Sequence, residues 1–409
     1  MLRHLIVIVT AAILFSSSLT LAESKKPKPP DKFPPSPLEI TTPDPLSPRS
    51  PKDKQPLTLE EQQKLEPALD ALNQEAAAKL QAGEPEAAFE IWNRELRLRR
   101  FLGSLAEVQA LSRVGAIAWN QNDSQEVQYI TQRLQAIQKQ TQSQKTTAPI
   151  DLKLWRSLGE AYQNVRSSKL ALEAYNQVLL VVRQQQDPTA VVEILKTIGE
   201  LHLSWFDYRK AAPVYEELLS LATSLGQGVN QVTYLQRLAD IYEQTNQPQQ
   251  SLNVLNKLAE IYVNENNLTE IPELKLAIAS DYESLAKKDR NFLPEAFKNY
   301  QESYTTAWQL QEYVRAGEAL QKLIALYRSQ GQVDEALQSS QILVQTQAQA
   351  ANFYGMMQAY DQIGQLYVER KEFPQALTAF QKGLELAQQL KHEEAYFTGQ
   401  IQKVSKANF

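Results

Sequence analysis

"WRSLGEAYQ", Trp155–Gln163, decides the fold. Alone it reads as a short amphipathic helix. Its skeleton returns in "KTIGELH" (Lys196–His202), "QRLADIY" (Gln236–Tyr242) and "DQIGQLY" (Asp361–Tyr367). Aligned on Gly159, a small residue recurs at Ala76, Gly115, Gly199, Ala239, Ala279 and Gly364, with Ile324 at the equivalent place. Successive intervals are 39, 44, 40, 40, 40, 45 and 40 residues. The two long ones coincide with the polar stretch "QTQSQKTTAP" before Ile150 and with "KKDRNFLPE" from Lys287.

A second small site follows twelve residues after the first, at Ala88, Ala171, Ala211, Ser251, Ala336 and Ala376, with Val127 in unit two and Ala296 displaced to seventeen in unit six. Four residues further stands a large ring at Trp92, Tyr175, Tyr215, Tyr300 and Phe380; Thr131, Leu255 and Ser340 replace it elsewhere. The physical reading is helix-pair packing. Gly or Ala at the first site lets a second helix approach, the second small site is the reciprocal notch, and the ring fills the gap between a pair and its neighbour. Polar turns such as "NQND" and "TNQPQ" separate the notches. One pair cannot bury its apolar face alone, whereas a stack can.

This pattern resembles the tetratricopeptide repeat (TPR) family, most fully at Trp155, Leu158, Gly159, Tyr162, Ala171 and Tyr175. The resemblance spans residues 60–391. It departs from the family in its period, about 40 rather than 34 residues, in Lys79 where unit one should carry tyrosine, and in Ile324 at a small site. Long-period members are the nearest match. The resemblance implies an all-α, right-handed superhelical solenoid of about eight helix pairs, near 60–100, 105–140, 150–187, 190–227, 230–267, 270–312, 315–352 and 355–391. A C-terminal cap helix is expected over 394–406, with Tyr396, Ile401 and Val404 on one side.

The N-terminus predicts export. Arg3 precedes an apolar run, Leu5–Phe15, and "SSSLTLA" ends on the small residues Thr20 and Ala22. Residues 1–22 therefore read as a signal peptide cleaved before Glu23; left uncleaved, the run would make the chain a membrane-tethered adaptor. The expected location is the periplasm or another extracytoplasmic space, including a thylakoid lumen. Eleven of the 20 prolines fall between Pro27 and Pro56, so residues 23–57 are expected to be an extended, disordered tether. Thr58 with Glu61 is a capping-box signature opening the array at 58–409.

Composition narrows the chemistry. The chain has no cysteine and three histidines, His4, His202 and His392, so thiolate sites and a histidine-rich metal site are excluded. Phosphate loops and nucleophile elbows are missing from the sequence. The expectation is a non-catalytic chain without cofactor or metal, with His202 packed between helices where its unit would carry tyrosine. Residues 58–409 hold 34 basic against 42 acidic residues, which argues against nucleic acid as a partner.

The family binds along the first helix of each pair. Chaperone-binding members hold a C-terminal carboxylate there with Lys, Arg and Asn, but the matching positions here are Ala116, Glu160, Glu200, Asp240, Ser280, Ala325 and Gln365. That clamp is missing. The candidate groove residues are Arg156, Glu160, Lys196, Glu200, Gln236, Asp240, Glu243 and Glu283, mostly acidic at the centre. They predict a protein client bearing a basic segment; the alternative is a carrier of divalent cations such as Mn or Ca using carboxylate oxygens. Signal, proline-rich stretch and Gln-rich repeats together are similar in layout to exported TPR proteins of cyanobacteria, photosystem II assembly factors among them. The layout implies a scaffold or assembly factor for a membrane complex.

Overall fold

A computed structural model describes residues 36–39, 43–48, 57–143 and 150–407. The signal-peptide reading of 1–22 lies outside them. Among the described residues there are seventeen α-helices and no strand. They pair as α1–α2 (Leu59–Gln81, Pro85–Arg99), α3–α4 (Ser104–Asn120, Ser124–Ser143), α5–α6 (Leu152–Asn164, Ser168–Gln184) and α7–α8 (Pro188–Ser204, Tyr208–Ser224). Then come α9–α10 (Gly228–Gln244, Pro248–Asn264), α11–α12 (Ile271–Ala286, Leu293–Gln309), α13–α14 (Tyr313–Ser329, Val333–Gln349) and α15–α16 (Phe353–Glu369, Phe373–Leu390). Helix α17 (Glu394–Ala407) follows.

The 40-residue period has a simple origin. Helices α7 to α10 are each 17 residues long, and three-residue links join them. Each link places its middle residue in the left-handed region, as at Arg166, Phe206, Asn246 and Lys371. The next N–H then returns to a carbonyl five residues back, Asp207 to His202 at 2.8 Å and Gln247 to Tyr242 at 2.9 Å. This Schellman closure satisfies carbonyls the helix end would leave open. Asp151, Asp187 and Asn352 cap the following helices through their side chains.

Two compact units emerge, Met1–Ile137 and Gln138–Phe409, and the boundary falls inside α4. The repeat spacing predicts one array from residue 58. In the pairs α5–α6, α7–α8 and α15–α16 of the second unit the ring lies directly over the small site. A β-carbon added at Gly159 would fall 2.6 Å from Tyr175 Cζ, one at Gly199 2.9 Å from Tyr215 Cε2, and one at Gly364 2.5 Å from Phe380 Cε1. The ring thus occupies the notch itself rather than a gap beyond it. Unit seven inverts the pair: Ile324 is buried where glycine was expected, and its ring position is Ser340, buried and donating to Ala336 O at 2.8 Å. Volume is conserved by exchanging which helix supplies it. At the C-terminal end Phe397 of α17 fills the notch over Gly383. The expected cap face therefore needs correction: Phe397 and Val404 are buried, while Tyr396 is exposed and its hydroxyl donates to Asp361.

The first unit is held differently. Glu95, fully buried on α2, accepts from Arg99 Nε at 3.0 Å and Arg113 Nη2 at 2.8 Å. Glu107, also buried, accepts from Arg100 Nε at 3.0 Å and Arg133 Nε at 2.5 Å. The expectation of a free tether over 23–57 fails for the described part of it. Pro37–Glu39 form a 3-10 turn with Leu38 buried, and Leu46 joins a cluster of Leu57, Leu65, Leu69, Leu72 and Leu98. Scattered leucines between the prolines supply the burial that proline content alone concealed.

Two stability tests follow. Gly159→Ala should cost about 1–3 kcal/mol, because the Tyr175 ring must move out of a packed notch; Gly399→Ala, where nothing stands within 4 Å, should instead gain up to about 1 kcal/mol from helix propensity. Urea unfolding of both variants decides whether the notch or generic glycine cost governs. Glu126 supplies the other test. Burial pushes its carboxyl up from 4.5 to about 7, against the opposing hydrogen bond from Asn93 Nδ2 at 3.1 Å. Glu126 Oε1 and Asn93 Oδ1 are both buried without a partner, and protonation supplies a donor that two acceptors lack. Stability from this acid is therefore full below about 4.5 and lost as pH rises through 7, on the order of 3 kcal/mol. Glu126→Gln, permanently neutral, should raise the melting temperature at pH 8 and leave it nearly unchanged at pH 4.5.

Candidate functional site

Within the second unit, α9, α10 and α11 enclose a cleft of about 300 Å³. Its floor is apolar, with Leu255, Leu258 and Leu274. Its walls are acidic: Asp240 and Glu243 from α9, Glu270 just before α11, and Glu273 and Asp281 from α11. No Lys or Arg lines it. Three anticipated residues, Gln236, Asp240 and Glu243, come together here and are exposed. The Gln236 amide donates to the Tyr262 hydroxyl at 2.9 Å, which ties the α9 wall to α10.

Burial raises the Asp240 carboxyl above its usual range, and Arg237 partly offsets it. Asp281 is pushed further, to about 6, by burial and by the charge of Glu243, against a hydrogen bond with Ser251. Its Oδ2 is buried with no hydrogen-bond partner in the chain. Asp281 is not among the positions that the exposed face of the first helix predicts. It stands two residues after the small site, where other units place Ala161, Leu201, Ile241, Leu326 and Leu366, all buried. A carboxylate at a position otherwise apolar is a signal the alignment contained.

Lys196 and Glu200 line a second cleft of about 430 Å³, with Arg166, Gln163 and Trp205. Its charges are mixed, and Tyr215 donates to Glu200 Oε1 at 2.7 Å. The remaining residues line neither cleft. Arg156 is paired with Glu193 of α7 at 2.6 Å, Glu160 is exposed, and Glu283 accepts from the Tyr300 hydroxyl at 2.8 Å. Glu200 and Glu283 thus anchor the ring hydroxyls of their own pairs. The structural sites Gly115, Gly159, Gly199, Ala279, Gly364, Ala171, Ala211, Ala296, Ala336 and Ala376 are buried, and Ala239 is half-buried beside the acidic cleft. Burial lowers the His202 imidazole below its ordinary value, with Asp207 opposing. Among the described residues no group of three or more His, Asp or Glu is placed to hold a metal ion, and no helix is long and apolar enough to cross a membrane.

The cleft carries a pH test. Burial raises Asp281 from 3.8 to about 6, so the stability from its protonated form is full below about 3.8 and is lost as pH rises through 6. Asp281→Asn should stabilise the chain at pH 7.5 and leave it nearly unchanged at pH 3.8, read as melting temperature.

No family model matches the chain, and no curated protein matches it. Solved structures match the chain at low identity. BtubC from P. vanneervenii is 17% identical, with a TM-score of 0.38, over 55% of this chain and 92% of that one. A signal-transduction ATPase with a tetratricopeptide repeat sensor from Pyrococcus horikoshii is 11% identical, with a TM-score of 0.42, over 78% of this chain and 49% of that one. The apo quorum sensor NprR from B. thuringiensis is 16% identical, with a TM-score of 0.35, over 73% and 80%. The chain is similar to these three structures, and its stack of helix pairs stands on its own packing.

Proposed function

We propose that the chain is a non-catalytic, exported scaffold or assembly factor that holds a basic segment of a protein client in the cleft between α9, α10 and α11. One observation carries the reading: acidic walls from Asp240, Glu243, Glu270, Glu273 and Asp281 stand over a leucine floor, with no basic residue in the lining. A client strand or helix with Lys or Arg on one side and apolar residues on the other matches both surfaces. Each exposed pair adds little affinity, but a shared field of one sign speeds and orients association. Export rests on the apolar run Leu5–Phe15, and a role in assembling a membrane complex, photosynthetic or otherwise, rests on the layout of the sequence.

The experiment is capture of the client from an envelope extract, followed by its association rate at several ionic strengths. Asp240→Lys with Glu243→Lys should slow association at least tenfold at low salt, and the two proteins should converge as salt rises. Both positions are exposed and lysine favours helix, so melting should barely change. Equal rates at low salt would leave the acidic cleft an ordinary solvated face.

A further inference from the structure

The end of helix α2 and the residue after it carry "RELRLRR", Arg94–Arg100. Arg94, Arg97 and Arg100 recur every three residues and so share one side of the helix. The N-terminal segment runs back along that side. Arg97 Nη1 donates to Pro37 O at 2.8 Å and Arg100 Nη2 to Leu38 O at 2.6 Å. Arg94 then grips Asp44 through both carboxylate oxygens, at 2.7 and 3.0 Å. Glu39 lies 3.3 Å from Arg100 Nη2 and 3.9 Å from Arg133 Nη1. Leu38, 1% exposed, is buried in a socket, and Leu46 joins the leucine cluster.

Three features mark this as a recognition surface rather than incidental packing. First, two of the three arginines read backbone carbonyls. The turn's own bond runs from Glu39 N–H to Ser36 O and leaves the Pro37 and Leu38 carbonyls to the guanidinium donors. Second, the surface is organised from behind. Buried Glu107 holds Arg100 and Arg133 whatever lies in front of them. Third, the bidentate Arg94–Asp44 pair fixes register as well as charge.

We propose that this face of the first unit is a binding site for a proline-rich, acidic peptide that opens on a tight turn, filled in cis by residues 36–39 and 43–48. The ligand pattern is a leucine in the socket, two successive carbonyls over Arg97 and Arg100, and a carboxylate six residues after the leucine. Only residues 49–58 separate the segment from α1, and so short a connection gives an effective concentration on the order of millimolar. A partner peptide of the same pattern must outcompete that.

The test uses the full chain and a fluorescent synthetic peptide of residues 35–48. Leu38→Asp with Asp44→Arg should empty the site without touching α1–α4. The double variant should bind the peptide with an affinity that falls as salt rises, and wild type at least tenfold more weakly because its site is filled. Adding Arg94→Ala to the variant should abolish binding. Equal binding by variant and wild type, or none by a variant of wild-type helicity, overturns the proposal. Should the variant lose helicity, hydrogen exchange of the wild-type chain decides. Amides of 36–48 slower than in the free peptide support docking; equal rates refute it.

Discussion

A ring laid on a helix where no β-carbon stands is the contact on which the second unit depends. Tyr175 over Gly159, Tyr215 over Gly199 and Phe380 over Gly364 repeat it. The contact fixes the offset between these partner helices at sixteen residues, and a three-residue link delivers it in each of the three pairs. The left-handed residue at each link follows from the same demand, since three residues must both end one helix and reverse the chain. The ring also couples packing to polarity. Its hydroxyl reaches the wall of the first helix, at Glu200 and Glu283, and fixes those carboxylates.

The first unit solves the same problem with charge. Where unit two has Thr131 instead of a ring, arginines of α2, α3 and α4 converge on Glu95 and Glu107. Buried ion pairs contribute little net stability relative to apolar packing, but losing one partner is costly. Such a network therefore specifies a single register of these helices more than it deepens the well.

The helical repeat was legible in sequence because two small sites recur at a near-constant interval, with a ring four residues after the second in five of the eight repeats. The location of the second notch was equally legible, at Ala171, Ala211 and Ala376, all fully buried. What periodicity could not deliver was pairing across units. It did not show that Ile324 and Ser340 compensate each other, that Phe397 rather than Tyr396 seats the last helix, or that Glu200 and Glu283 are tied to tyrosines. These depend on side-chain direction, which spacing alone leaves open. The acidic cleft was half legible. Asp240 and Glu243 were found as exposed positions, whereas Asp281 was hidden at a core position. The docked segment was least legible, since proline content argues only against helix and strand and is silent on burial.

The pattern of packing has a mechanical consequence. In the second unit each helix touches chiefly its immediate neighbours in sequence, from α5·α6 through to α16·α17. Load applied along such a chain falls on one interface at a time, as in a zipper rather than a knot. Helix α17 is the last tooth, and Phe397 in the notch of Gly383 is what a pull from the C-terminus meets first. Behind it, every released pair is a complete 40-residue segment able to close again on its neighbour. The array can therefore yield and recover in discrete steps instead of unravelling as a whole.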